Sequence, residues 1–270
     1  MTFQLGPALL FCPADRPERY SKAAQRADAV ILDLEDAVAT ADRPAARAAL
    51  VATPLDADRT IVRVNPVGSD DFVEDMAALA RTDYTMVMVP KCEDPERLGE
   101  LAGHEVIALC ESAAGVLAAA EIAACANVVA LMWGAEDLVA SLGGTSSRFA
   151  DGTYRDVARH ARSAVLLAAA SRGRAAIDTV HLDIADLDAL AAEARAAAAV
   201  GFAATACIHP GQVPVIREAY APTATEVAYA RDVLAAAARA NGVFRFRGRM
   251  VDRPVLRNAE HTLLRARAEG

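Results

Sequence analysis

A chain of 270 residues with 28 Lys and Arg against 36 Asp and Glu carries a formal charge of −8, which argues against nucleic acid or an anionic membrane surface as partner. Hydrophobic residues make up 54%, but much of that is alanine in helix-like stretches such as Ala191–Ala199. No apolar run approaches the ~20 residues of a membrane span, so no membrane association is expected. Met1–Cys12 lacks a basic n-region and a cleavage-like site, so no signal peptide is expected either. Five cysteines, without C-x-x-C spacing, argue against a disulfide framework and a structural zinc site, and the expected compartment is the cytoplasm.

Eight apolar runs alternate with helical stretches. Ala8–Cys12 is followed by a helix over Pro17–Ala27, with Pro17 suited to its first turn. Val30–Leu34 leads to Arg43–Leu50, Thr60–Val64 to Asp70–Ala80, and Thr85–Val89 to Pro95–Leu101. Val106–Cys110 precedes Ala114–Ala124, and Val128–Met132 precedes Tyr154–Ser171. Ile177–His181 and Thr205–Ile208 flank Leu187–Val200, and Val213–Tyr220 and Thr225–Asn241 follow. This alternation implies parallel pairing with helical crossovers, and eight units in some 210 residues fit an α/β (β/α)8 TIM barrel better than an open doubly wound sheet. No G-x-G-x-x-G follows the first run, so the dinucleotide fingerprint is missing. We place the barrel at 1–220 and a C-terminal helical and extended extension at 221–270.

Polar residues gather where the runs stop, on the rim where α/β proteins keep their chemistry. The fifth and sixth deliver Glu111 and Asp137, two carboxylates that make an oxygen site for a hard cation such as Mg²⁺, with Mn²⁺ as an alternative. The competing reading makes them helix-start carboxylates on the positive end of a dipole. Asp33-Leu34-Glu35-Asp36 offers Glu35 and Asp36 as bases or as holders of the metal's waters. Equally, Asp36 is a helix N-cap and Asp33 an interior acid bonded to backbone. Arg63, in an otherwise apolar strand, requires a carboxylate partner, and substrate charge is the favoured one over a protein acid. Gly134-Ala135-Glu136-Asp137 opens a helix whose free N–H groups suit a keto-acid carboxylate. Ser141–Asp151 is a Gly/Ser loop, read by default as a mobile surface segment and otherwise as a cover for the site. The five histidines are scattered; His209 is a candidate substrate contact, while His104 and His160 read as surface residues. Cys12, Cys110 and Cys207 read as core. Phe244–Met250 alternates aromatic and basic, as a half-exposed edge strand with Phe244 and Phe246 on one face and Arg245, Arg247 and Arg249 on the other.

These motifs together (LFCPADRPERY, VILDLEDAV, VRVNP, VPKCE, LCES, WGAEDL, CIHPGQV, GRMVDRPVL) span nearly the whole chain. Through them the chain resembles the citrate lyase β-subunit-like proteins of the HpcH/HpaI aldolase superfamily, relatives of malyl-CoA and citramalyl-CoA lyases. The resemblance implies a Mg²⁺-dependent TIM barrel, assembled as a homotrimer or hexamer, that makes or breaks C–C bonds in acyl-CoA substrates. It implies Glu111 and Asp137 as metal ligands, Arg63 as the charge-stabilising arginine, Glu35 and Asp36 as their supports, and Asp252 as a catalytic aspartate from the C-terminal segment. It also puts Arg16 near the coenzyme A arm. The reaction it implies cleaves a 3-hydroxyacyl-CoA, such as citramalyl-CoA or malyl-CoA, to an α-keto acid and a shorter acyl-CoA. Synthase-like or thioesterase chemistry, a citrate lyase subunit acting on a carrier-bound citryl group, and a non-enzymatic acyl-CoA-binding barrel are the alternatives.

Overall fold

The computed structural model describes residues 5–240 and 242–268. Eight parallel strands close into a barrel: β1 (Ala8–Pro13), β2 (Ala29–Asp33), β3 (Thr60–Arg63), β4 (Met86–Val89), β5 (Glu105–Cys110), β6 (Val128–Trp133), β7 (Ala175–Asp178) and β8 (Ala204–Cys207), with β8 pairing back onto β1 at Ala8↔Thr205. The crossovers carry α1 (Pro17–Arg26), α2 (Arg43–Ala52), α3 (Asp70–Leu79), α4 (Ala113–Ile122), α5 (Ala135–Ser141), α6 (Asp156–Ser171) and α7 (Leu187–Val200). The expected helix at Pro95–Leu101 is instead a 3₁₀ segment, Glu96–Leu101, and β7 begins and ends earlier than expected, so Asp178 rather than His181 is its last residue.

The barrel interior follows from the two-residue period of a strand. Leu9, Ala29, Ile31, Ile61, Met88, Ile107, Leu109, Ala130, Met132 and Ile177 share one buried cluster. Burying each Ile or Leu contributes about 1.5–3 kcal/mol. One more step along that inward-facing set brings Asp33 after Ile31, Arg63 after Ile61 and Glu111 after Leu109. The pattern that fills the barrel therefore aims three charged residues at its upper mouth. A register shift between Val106 and Ile107 inserts an extra β6 residue, so that Leu109 faces Met132 and Cys110 faces Trp133. Ser69 and Ser112 cap α3 and α4 through the N–H groups of Phe72 and Gly115.

Contacts divide the chain after Ala219. The final stretch of the first part holds most of α8 (Val213–Tyr220), and the second part contains α9 (Ala224–Ala237), a hairpin of β9 (Phe244–Phe246) and β10 (Arg249–Val251), and α10 (Arg253–Ala268). Its own small core is Ala230, Val233, Val251 and Ala259, with Phe244 and Phe246 packed against it. The expected single strand over Phe244–Met250 is thus two strands. Arg247 and Gly248 have φ of 45° and 81°, a pair of left-handed residues that reverses the chain and puts Arg247 in the turn rather than on a strand face. The helix expected to end at Asn241 ends at Ala237, and Asn241 itself lies outside the described residues. No helix among the described residues is long and apolar enough to cross a membrane.

Candidate active site at the carboxyl end of the barrel

At the upper mouth lies a cavity of about 260 Å³ with an apolar floor of Phe11, Leu109 and Met132. Asp33, Arg63 and Glu111 supply its charge, and Gly134–Asp137 forms one wall. Its size suits a small acid, below the usual range of pockets for drug-sized ligands.

Arg63 is paired with protein acids, contrary to the expectation of substrate charge. Asp33, its register partner on β2, takes Nε and Nη2 in a bidentate bond of 2.7 and 2.6 Å. Glu35 Oε2 stands 3.2 Å from Nη1, and the guanidinium lies 4.8 Å over the Phe11 ring. Burial disfavours its charge, but the hydrogen bonds and charge of Asp33, with Glu35 and Glu111, more than offset this and hold its pKa above the ordinary value. Asp33 also accepts the N–H groups of Glu35 and Ala37, so its reading as an interior acid bonded to backbone holds, with Arg63 added. Asp36 does not cap a helix, because α2 starts only at Arg43; it is exposed and 3.6 Å from Lys91 Nζ.

Glu111 is 3% exposed, and its Oε1 accepts the N–H of Lys91 at 3.0 Å. Burial first, and the negative charge of Asp137 second, push it up to about 8. Gly134 is the residue that allows this approach: a Cβ there would sit 2.8 Å from Glu111 Cβ and 2.9 Å from Oε2. Asp137, half-buried, lies in the first turn of α5. The strand leading there is pinned from below, since Trp133 Nε1 donates to Asp178 on β7 at 2.6 Å and Arg162 binds the same carboxylate.

The loop after α5 is exposed along most of its length and tied down at Ser147 and Arg148. Ser147 is 1% exposed and donates to Glu136 at 2.5 Å, beside Asp137. Arg148 stacks on Tyr154 and pairs with Glu193 of α7, which also meets His181 Nδ1 at 3.0 Å.

Arg16 and His209 do not line the cavity. Arg16 is exposed before α1 and lies 3.6 Å from Asp15. His209 is exposed, and its Nδ1 accepts the N–H of Gly211, while the neighbouring Ile208 lines the cavity. His160 is exposed as expected, whereas His104 is half-buried with an Nδ1 that finds no partner. Asp252 belongs to the second part of the chain, where its Oδ1 accepts the N–H of Val255 at 3.4 Å. Cys12, Cys110 and Cys207 are buried, and the five cysteines are free thiols.

Sequence reasoning passed over Lys91. Its Nζ bonds Glu35 Oε1, its N–H bonds Glu111, and its φ is 46°. A non-glycine residue held there stores about 1–3 kcal/mol of strain, a cost concentrated at functional sites. Its signals in the sequence are its place just past β4 and Pro90, on the same rim as the other polar ends, and its position within VPKCE.

A family model described as HpcH/HpaI aldolase/citrate lyase matches residues 8–210. A citrate lyase subunit beta-like protein of Mycobacterium tuberculosis is 60% identical over 261 residues, covering 97% of this chain and 96% of the relative. The human mitochondrial citramalyl-CoA lyase is 30% identical over 292 residues, covering 95% and 84%. Among solved structures, the protein CitE of M. tuberculosis in complex with magnesium, acetoacetate and coenzyme A superposes with a TM-score of 0.94 at 60% identity, covering 97% and 98%.

Proposed function

The chain belongs to the HpcH/HpaI aldolase/citrate lyase family, and from that membership we infer a Mg²⁺-dependent carbon–carbon lyase acting on acyl-CoA thioesters. The observation that carries this reading is the juxtaposition of Glu111 with Asp137 at the mouth of a closed barrel, opposite an arginine already locked by two acids. The residues present fit the metal. Asp33, Glu35, Asp36, Glu111 and Asp137 outnumber Arg63 and Lys91, and Glu111 lies in a cleft that a Cβ at residue 134 would close. Two carboxylates, water and a keto-acid chelate satisfy the octahedral preference of Mg²⁺. Glu111 and Asp137 would hold it, and when bound it supplies Lewis-acid polarisation and a template for the keto-acid half of the substrate.

The chain's own residues account for the other half. Arg63 has five N–H donors, of which Asp33 takes two and Glu35 stands near a third, so donors remain to stabilise the enolate oxygen of the departing acyl thioester. Phe11, Leu109 and Met132 exclude water beneath it. Glu35 and Asp36 support Arg63 and the metal's waters, and Gly134 with Ala135 and Glu136 lines the keto-acid pocket. The cavity is too small for coenzyme A, whose arm must lie outside; Arg16 and His209 stand as contacts for it and for the substrate. We propose that Asp252 moves the proton, and that it does so in a neighbouring subunit of a homotrimer or hexamer through the extension at 221–270. We also place the protein in the cytoplasm, where five free thiols stay reduced. Incubation with Mg²⁺ and a panel of 3-hydroxyacyl-CoA esters, with products identified by mass, tests the reaction. Release of an α-keto acid and a shorter acyl-CoA supports it, and no C–C cleavage of any ester overturns it.

Arg63→Lys keeps the charge but loses the planar fork that Asp33 grips, and turnover is expected to fall by at least ~10²-fold, the scale of one preorganised donor. A near wild-type rate would reduce Arg63 to a structural ion pair.

Proton linkage gives a further expectation. With Glu111 at about 8 in the metal-free protein, the group holds a proton at neutral pH and loses it when a cation binds. Mg²⁺ affinity should therefore rise with pH up to about 8, by as much as about tenfold per unit for one displaced proton. The same shift has the opposite sign for metal-free stability. Between the ordinary 4.5 and about 8 the folded state binds more protons than the unfolded chain, so its stability falls as pH rises through that window. Calorimetric titrations in buffers of different ionisation enthalpy report the released proton, and a pH-independent affinity would refute the linkage.

A further inference from the structure

Lys91 connects two sides of the site that no other described residue connects in the same way. Glu111 comes from β5 and Glu35 follows β2, across the barrel mouth from one another in strand order. The backbone N–H of Lys91 meets Glu111 Oε1 at 3.0 Å, while its ammonium reaches back to Glu35 Oε1, with Asp36 at 3.6 Å. Both reaches depend on the left-handed turn at this residue, φ 46°, immediately after Pro90. A lysine in the ordinary extended or helical region would not direct its N–H and its side chain in these same two directions.

Glu35 needs this partner. It is 2% exposed, and its Oε2 accepts no hydrogen bond despite the nearby Arg63 Nη1. A buried carboxylate left with one oxygen unbonded is costly and free to turn unless its other oxygen is gripped. Lys91 Nζ supplies that grip. Glu35 then presents its second oxygen to Arg63, whose Nε and Nη2 are held by Asp33 and whose guanidinium lies over the Phe11 ring. The order of contacts is Asp33, Arg63, Glu35, the Lys91 side chain, the Lys91 backbone and Glu111.

We propose that Lys91 is a positioning residue for the lyase reaction: its ammonium locks Glu35 against Arg63, and its left-handed backbone fixes Glu111 for the cation. The inference rests on the lyase reading above. Its two halves separate by substitution. Lys91→Met and Lys91→Gly both remove the ammonium; Met is unbranched at Cβ like lysine, and Gly has no Cβ to resist the turn. Lys91→Val also removes the ammonium, but its branched Cβ resists a positive φ.

All three variants should lose turnover by about tenfold or more, equal to about 1.4 kcal/mol of barrier, with a much smaller change in KM. Lys91→Arg should recover part of that loss. Mg²⁺ affinity, measured by calorimetry without substrate, should stay within about threefold of wild type for Met and Gly, but weaken about tenfold or more for Val. Combining Lys91→Met with Glu35→Gln should cost no more turnover than Glu35→Gln alone, and the same pair should be non-additive in denaturant unfolding. Turnover of Lys91→Met within about twofold of wild type, or multiplying losses in the double variant, overturns the first half. Equal Mg²⁺ affinities for Val and Gly overturn the second. If the wild-type protein cleaves no acyl-CoA, the lyase reading fails, and the unfolding cycle and the Mg²⁺ series still decide the role of Lys91.

Discussion

Glu111→Ala and Asp137→Ala are each expected to abolish Mg²⁺-dependent turnover and to weaken Mg²⁺ binding by more than ~10²-fold, beyond the loss usual for a residue that only supports a ligand. Among the described residues no group of three or more His, Cys, Asp and Glu side chains is arranged to hold a metal. The cation would therefore depend on this pair together with water and substrate, and neither variant leaves a substitute. Fold is expected to survive in both. Asp137 is half-buried at a helix start. Glu111 is a buried acid whose charge the metal-free protein already disfavours, so its removal takes away a burden rather than a support. Loss of the N–H partner of Lys91 is the structural cost at Glu111, and Glu111→Gln, which keeps an acceptor there, should be the more stable of the two variants and equally inactive. Circular dichroism and unfolding report the fold, calorimetry the metal, and product release the chemistry. Full activity with undiminished Mg²⁺ affinity in either variant would show the ligands to be elsewhere.

The barrel was legible because eight apolar runs each stop at polar residues, and a period of two then decides which of those residues point inward. That is why Asp33, Arg63 and Glu111 converge. It also shows what the residue types alone concealed. Arg63 could be seen to need an acid, but only register shows that Asp33 stands opposite it. Lys91 had only its place on the rim and within VPKCE to mark it, because a left-handed turn is a property of backbone conformation, and lysine gives no hint of one. The clamp on the loop after α5 was hidden for another reason. Arg148 and its partner Glu193 are 45 residues apart, on segments that meet only when the barrel closes. In the extension, Phe244 and Phe246 pack as the alternation predicts, but the three arginines do not share the other face: Arg249 pairs opposite Phe246, and Arg247 lies over its ring. Arg247-Gly248, the turn that splits the run into a hairpin, was read through as strand.

Asp252 stands where that hairpin hands the chain to α10. Val251 before it is fully buried in the small core of the second part, and α10 starts at Arg253 immediately after it. An aspartate between a buried anchor and a helix start is held in a defined direction, which suits a group that must meet a proton at a fixed point. That core is made by α9, α10 and the hairpin themselves, so the extension does not need the barrel's interior to order Asp252. In a cyclic oligomer with heterologous interfaces, each extension is free to serve the next subunit around a closed ring. Asp252→Ala and Arg63→Ala chains should then be nearly inactive alone and active when mixed. With equal amounts and random exchange, about one quarter of sites would combine an intact Arg63 with an intact Asp252 from the neighbour in a ring of heterologous contacts. An aspartate serving its own barrel would restore none, because no chain in the mixture carries both groups. Subunit exchange is verified by mass spectrometry of the mixed oligomers, and activity is then read in the same sample. Exchange without recovered activity would place Asp252 in its own subunit's site or outside the reaction.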